Sequence, residues 1–305
     1  MRIRLLGTAA GGGVPQWNCN CAVCRQARSG KGRVHSRTQS CVAISANGRR
    51  WWLLNASPDL RIQMEAIREQ QPATERKRHS PVEGVLLTNA DLDHTLGLLL
   101  MREGDELLVH APTNIQQYLT VGLPLAAILH SYAGLRWIDP PIELAPLDNQ
   151  DGSRSGLLYQ ALPLAGRPPR FSRAPLSEQG NVVGYRIIDE RSGGRLMFLP
   201  AVAALDEKLS ARLPECDVLL FDGTFWAEDE MSNAGVGTRT ASAMGHTPIS
   251  GHNGSLKVLA ALPIKHKVYF HINNTNPILI EDSPERAEVH AAGCLVASDG
   301  MELIV

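Results

Sequence analysis

Six consecutive positions, Asn89-Ala90-Asp91-Leu92-Asp93-His94, crowd together four side chains that can ligate a metal or move a proton. Two carboxylates and an imidazole beside an apolar run over 85–87 form a metal-type donor set of oxygen and nitrogen. The competing reading is a capped turn, with Asp93 capping the next helix and His94 in its first turn. Two further donors follow apolar runs: Asp222 after 216–221 and His271 after 267–270. Singly, Asp222 before a glycine is a turn residue, and His271 is a satisfied core histidine. Together, two imidazoles and one or two carboxylates fit zinc, iron or manganese. Two histidines and one carboxylate with open positions are the donor set of iron(II) oxygenases.

A second donor set is sulfur. Cys19-x-Cys21-x-x-Cys24 gives three thiolates to one loop at 17–26, a spacing that wraps one tetrahedral zinc. A closed site of this kind holds structure and does no chemistry. Cys41, Cys216 and Cys294 are scattered among apolar residues and read as small buried hydrophobes. His246, in a polar glycine-rich loop over 228–250, is a candidate acid/base or substrate contact; a histidine packed on its neighbours is the alternative. Arg170 and Arg239 are candidate forked donors to the carboxylates of a bound molecule, against the plain reading of surface arginines. The basic run at 75–79 reads as a solvated loop more readily than as an anion patch.

The elements that must position these groups alternate along the chain. Strands are expected over 2–6, 40–45, 51–55, 85–87, 106–110, 156–162, 182–189, 195–199, 216–221, 267–270, 295–297 and 302–305. Helices are expected over 57–68, from 96, from 114, and over 203–213, 255–262 and 284–292. The glycine-rich stretch 7–13 lacks the Gly-Lys-Ser/Thr of a phosphate loop, and reads as backbone passing close to something. Residues 166–179, rich in proline, serine and arginine, are a candidate flap. With no linker and no repeat, the 305 residues read as one α/β domain with two sheets. Thirty basic residues against 31 acidic, a net charge of -1, give no nucleic-acid footprint. No apolar stretch approaches the roughly 18 residues of a spanning helix, and the start is charged too early for a signal peptide. The expected compartment is the cytoplasm.

Several uncommon runs then occur in order: 8–21 (Thr-Ala-Ala-Gly-Gly-Gly-Val-Pro-Gln-Trp-Asn-Cys-Asn-Cys), 54–60 (Leu-Asn-Ala-Ser-Pro-Asp-Leu), 221–226 (Phe-Asp-Gly-Thr-Phe-Trp) and 271–277 (His-Ile-Asn-Asn-Thr-Asn-Pro). Across nearly the whole chain they resemble the pyrroloquinoline quinone (PQQ) biosynthesis protein B family of the metallo-β-lactamase superfamily. The resemblance implies a four-layer αββα sandwich. The superfamily signature is His-x-His-x-Asp-His; here Asn89 and Asp91 replace the two leading histidines, and 162–173 offers no middle histidine. The first metal position is therefore lost. The second, Asp93, His94, Asp222 and His271, is retained, which disfavours a two-metal hydrolase and its bridging hydroxide. Asn89 and Asp91 are left to hold substrate or a proton. Related phosphodiesterases complete the cysteine zinc with a histidine three residues after the last active-site histidine; here that position is Asn274. Related hydrolases also carry a proton-donating histidine in a loop like that of His246.

The function implied is synthesis of a redox cofactor, by iron- and oxygen-dependent hydroxylation of the tyrosine ring of a precursor containing glutamate and tyrosine. The expected cofactors are a structural zinc and an active-site iron(II), with zinc or manganese as alternatives. Two other readings stand beside it: a zinc hydrolase of a phosphodiester or lactone, and a non-catalytic transport protein carrying the finished quinone. The expected partner is a small peptide-derived substrate or quinone, with no nucleic acid and no membrane. The oligomeric state is open, a homodimer included.

Overall fold

The computed structural model describes residues 1–68, 79–172 and 180–305. The basic run at 75–78 and residues 173–179 of the candidate flap lie outside them. The chain forms two compact units, and neither is continuous in sequence. Unit 1 comprises Met1–Gly7, Ser40–Gly194 and Gly300–Val305; unit 2 comprises Thr8–Gln39 and Arg195–Asp299. The chain passes from one to the other at four points, which is why the sequence shows no linker.

Unit 1 carries a seven-stranded mixed sheet. Its strands run in the order Glu302–Ile304, Arg2–Gly7, Cys41–Ser45, Trp51–Leu54, Val82–Leu86, Leu107–His110, Leu135–Ile138. The first four pair antiparallel and the rest parallel. Parallel neighbours need a crossover, and helices Leu60–Arg68 and Thr113–Gln117 lie in two of them. Strand Trp51–Leu54 is buried at all four positions, as a strand covered on both faces must be. The core of the unit gathers Trp51, Leu53, Val85, Leu87, Val109 and Ile115. An antiparallel meander in the same unit joins Ala145–Asp148, Arg154–Leu164 and Val182–Asp189.

Unit 2 is built on four parallel strands, Arg195–Leu199, Val218–Asp222, His266–Phe270 and Leu295–Val296. Helices Glu207–Arg212, Ser255–Ala260 and Pro284–Ala291 follow the first three strands in sequence. The helix expected over 203–213 starts at Glu207, because the Asp206 side chain caps it by accepting from the Leu209 N–H at 2.7 Å. The loop over 228–250 contains two short helices, Glu230–Asn233 and Ala241–Met244. The glycine-rich stretch does run close to something. Ile272 donates its N–H to the Thr8 carbonyl and accepts from the Ala10 N–H, both at 2.9 Å. Among the described residues no helix is long and apolar enough to cross a membrane.

Candidate metal centre

In unit 1 the chain leaves the sheet at Leu86, and Asn55 on the neighbouring strand end directs the turn. The Asn55 side chain accepts from the Thr88 N–H and donates to Thr88 Oγ1, both at 2.9 Å. Asn55 does this at φ 63, a left-handed conformation that asparagine tolerates better than most residues. A short helix, Leu92–Thr95, then presents His94. Its N-cap is Asp91, without a side-chain capping bond, so the expected Asp93 cap is not formed. Asp93 sits in the first turn and stays partly exposed. The His94 ring is buried, and its Nδ1 lies 2.8 Å from Asn89 Oδ1. That oxygen also accepts from the Asp91 N–H at 3.1 Å. An amide oxygen can only accept, so Nδ1 carries the proton and Nε2 keeps the lone pair that a metal would need. Nε2 lies 3.8 Å from Asp93 Oδ2. The Asn89 amide oxygen therefore holds the neighbouring imidazole. Asp91 uses its backbone here, its carbonyl accepting from Thr95 Oγ1 at 2.9 Å.

In unit 2 three donors from separate segments meet. Asp222 ends its strand fully buried, His271 follows the next strand, and His246 comes from the loop after helix Ala241–Met244. Their ligand atoms lie within 4.8 Å of one another. His246 Nδ1 lies 2.7 Å from Asp222 Oδ2. Thr224 Oγ1 lies 2.6 Å from Asp222 Oδ1 and 2.8 Å from His271 Nδ1. The two imidazoles stack with centroids 5.5 Å apart and planes 22° from parallel. Burial works to raise the Asp222 carboxyl, but the His246 and His271 imidazoles and the Thr224 hydroxyl outweigh it and hold the group below the usual range. His271 has φ 58, a strained backbone for a histidine, of the kind that persists where surrounding structure enforces it. The expected grouping of Asp222 with His271 is present, and His246 joins it. Sequence reasoning missed Thr224, although Asp-Gly-Thr directly after a buried strand was its signal.

The cysteines form their own group. Cys21 is the N-cap of helix Ala22–Ser29 and Cys24 lies inside it, so the expected loop at 17–26 is half helix. The three sulfurs lie within 4.8 Å of one another, which suits zinc, whose roughly 2.3 Å bonds set sulfurs about 3.8 Å apart. Burial pushes the Cys21 thiol up to about 11. Burial also acts to raise Cys19, but hydrogen bonds led by the Cys21 N–H bring it below the ordinary thiol range. Asn274 lies against the group, its amide nitrogen 3.3 Å from Cys24 Sγ and 3.7 Å from Cys21 Sγ. An amide N–H₂ donates to sulfur and has no lone pair for a metal. Of the two expected arginines, Arg239 is exposed and donates to the Ala243 carbonyl at 2.8 Å, and Arg170 is exposed.

Known proteins resemble the chain over its full length. It is 44% identical over 307 residues, covering 99% of both chains, to coenzyme PQQ synthesis protein B of Pseudomonas putida strain W619. The chain belongs to the coenzyme PQQ synthesis protein B family. A second member, from Methylobacterium radiotolerans, is 43% identical over 99% of both chains. The crystal structure of zinc-bound PqqB from Methylobacterium extorquens matches with a TM-score of 0.89 at 42% identity, covering all of both chains. The model of the beta-lactamase superfamily domain matches residues 50–272. A diphosphatase of the PhnP family, 20% identical with a TM-score of 0.66, shares the fold. The synthesis protein B fold is thus the metallo-β-lactamase fold, as the sequence resemblance implied.

Proposed function

We propose that this chain hydroxylates the tyrosine ring of a precursor derived from glutamate and tyrosine, using iron(II) and oxygen, during synthesis of PQQ. The observation that carries the reading is Asn89. Where a dinuclear hydrolase needs a ligating histidine, this chain has a buried amide whose oxygen is committed to His94. One metal with open positions is the arrangement suited to oxygen chemistry.

The proposed ligands are those the resemblance implies: Asp93, His94, Asp222 and His271. Iron there would supply oxygen activation. One oxygen atom enters the ring, the other leaves as water, and an external two-electron donor closes the balance. His246, its Nδ1 held by Asp222, offers Nε2 as acceptor for the phenol proton of the substrate. Asn89 keeps His94 in the ligating tautomer. The zinc of the Methylobacterium extorquens relative supports divalent metal in this family, and the cysteine trio is the proposed structural zinc site. A reducing compartment, the cytoplasm, suits those thiolates.

Anaerobic loading with iron(II), followed by oxygen-uptake measurement with a precursor containing glutamate and tyrosine, tests the reading. Uptake that requires the precursor, with a hydroxylated ring as product, is expected. Phosphodiester cleavage with zinc and no uptake with iron would replace it with the hydrolase. Tight quinone binding without turnover would replace it with the carrier.

A further inference from the structure

The segment Thr8–Gln39 of unit 2 holds five arginines and lysines and no aspartate or glutamate. Two of the five are engaged inside the unit. Arg33 pairs with Asp282 at 2.6 Å, and Arg37 is buried, donating to Thr8 Oγ1 at 3.0 Å. The other three, Arg25, Arg28 and Lys31, are exposed, and among the described residues none of them pairs with a carboxylate.

Two of these cations are nonetheless held in place. Arg28 Nη1 donates to the Cys19 carbonyl at 2.6 Å and Arg28 Nη2 to the Gln16 carbonyl at 2.5 Å. Arg25 Nη1 donates to the Asn20 carbonyl at 2.6 Å. These bonds leave N–H donors on both guanidinium forks unused. A fork already oriented loses less freedom when a carboxylate arrives. The same bonds strap the loop 16–20 to helix Ala22–Ser29, and in the middle of that loop Trp17 is 86% exposed. A single exposed apolar residue is ordinary. Trp17 differs in being a large aromatic on a strapped loop beside oriented arginines, and tryptophan and arginine are the side chains that anchor interfaces. Beside Arg25 the same unit has a hollow of about 440 Å³, lined by Asn20, Ala22, Arg25, Asn233, Ala234 and Val236. That is ample for a leucine or phenylalanine side chain.

We propose that this face of unit 2 binds an acidic polypeptide segment. Carboxylates of the segment meet Arg25, Arg28 and Lys31, an apolar side chain between them enters the hollow, and Trp17 packs against the bound chain. Charge selects the occupant: three unpaired cations with no carboxylate among them attract acidic chains and repel basic ones. Single-stranded nucleic acid also uses cations and aromatics, but it needs a basic groove that follows successive phosphates. With Arg33 and Arg37 engaged, the free cations cluster at one helix, and the hollow next to them is walled by the alkyl groups of Ala22, Ala234 and Val236. The proposal holds whatever metal and chemistry the active site has.

The test uses the full chain, loaded with zinc and ¹⁵N-labelled, and a short peptide of alternating glutamate and leucine. Titration should shift the indole N–H signal of Trp17, assigned by its absence in Trp17→Phe, and added salt should weaken binding. Arg25→Gln and Val236→Asp should each lower affinity about 10-fold, and Trp17→Ala at least as much. Cysteine zinc at the wild-type level shows that the loop is intact in each variant. Should Arg25→Gln lose that zinc, Lys31→Gln, beyond the helix end, takes its place with a loss of about 3-fold. An unmoved Trp17 signal at about 1 mM peptide overturns the proposal, as does wild-type affinity in all the variants. Equal binding of a lysine–leucine peptide overturns it too. Tighter binding of oligothymidylate would make this a nucleic-acid surface instead, and self-association abolished by Trp17→Ala would make it a contact between copies of the chain.

Discussion

The thiolate trio and the Asp222 group belong to the same unit, and they are built in opposite ways. Cys19, Cys21 and Cys24 come from one turn and the first turn of one helix, so local geometry alone brings the sulfurs together. Asp222, His246 and His271 come from two strand ends and a loop, and only the completed parallel sheet brings them together. The first group supplies soft, like donors that fill a tetrahedron. The second supplies mixed donors, two of them already tied to each other through hydrogen bonds. A turn-built site can close around a metal early and hold it for structure. A sheet-built site inherits its geometry from the fold and can leave positions open.

That contrast breaks most sharply on His271→Ala. The variant should lose the active-site metal and keep the cysteine zinc, as elemental analysis per chain will show. Loss of both metals at once would mean that the two groups are one site. Cys24→Ser probes the opposite side. It should lose the cysteine zinc, retain the other metal, and lower Tm by about 10 °C or more, since structural zinc contributes directly to folding. Equal melting of wild type and variant, with and without chelator, would deny the trio a structural role.

Glu230 touches the segment that carries both His271 and Asn274. Buried at the start of its helix, it accepts from the Thr275 hydroxyl beside Asn274 and from the Trp226 N–H. Burial pushes its carboxyl up to about 7. The folded chain then holds a proton that the unfolded chain releases, so stability falls as pH rises from about 4.5 to about 7 and levels off above that. The total effect should be about 3 kcal/mol at most. Denaturant titrations across this window should show the slope in wild type and a flatter profile in Glu230→Gln. Identical slopes would remove Glu230 as the cause. Gly223→Ala should act least. Its Cβ would lie 2.9 Å from Tyr269 Cβ and 3.1 Å from the Phe270 carbonyl. A loss of about 2 kcal/mol in urea unfolding is expected, with weaker binding of the active-site metal and unchanged cysteine zinc. Weakening at the cysteines instead would show that the two sites share their strain.

The sequence made the strands legible where apolar runs were long and their ends polar. Val182–Asp189 and Arg195–Leu199 have the expected bounds. Leu135–Ile138 and Ala145–Asp148 were not legible. The first is short, with Arg136 exposed in its middle; the second contains Pro146, which cannot donate to a ladder and demotes a run to an edge. At the site, donors adjacent to buried runs could be read one by one. The alliance of His246 with Asp222 could not, because it depends on how a glycine-rich loop folds back through a four-residue helix capped by Gly245 at φ 88. Nor could the role of Asn89, since a replaced ligand and a hydrogen-bond acceptor for the next imidazole are the same letter in the chain.

The pairing of strand Glu302–Ile304 with strand Arg2–Gly7, register Arg2 to Ile304, has a consequence in time. During synthesis, Arg2–Gly7 and its other neighbour, Cys41–Ser45, emerge first. The last partner follows on the order of tens of seconds later, at ribosomal rates. Until then one side of a buried strand offers unpaired N–H and C=O groups to any passing chain. The nascent protein is most exposed to mispairing at this edge, and closing it joins Arg2 to Ile304 across most of the sequence, a late and slow step of folding.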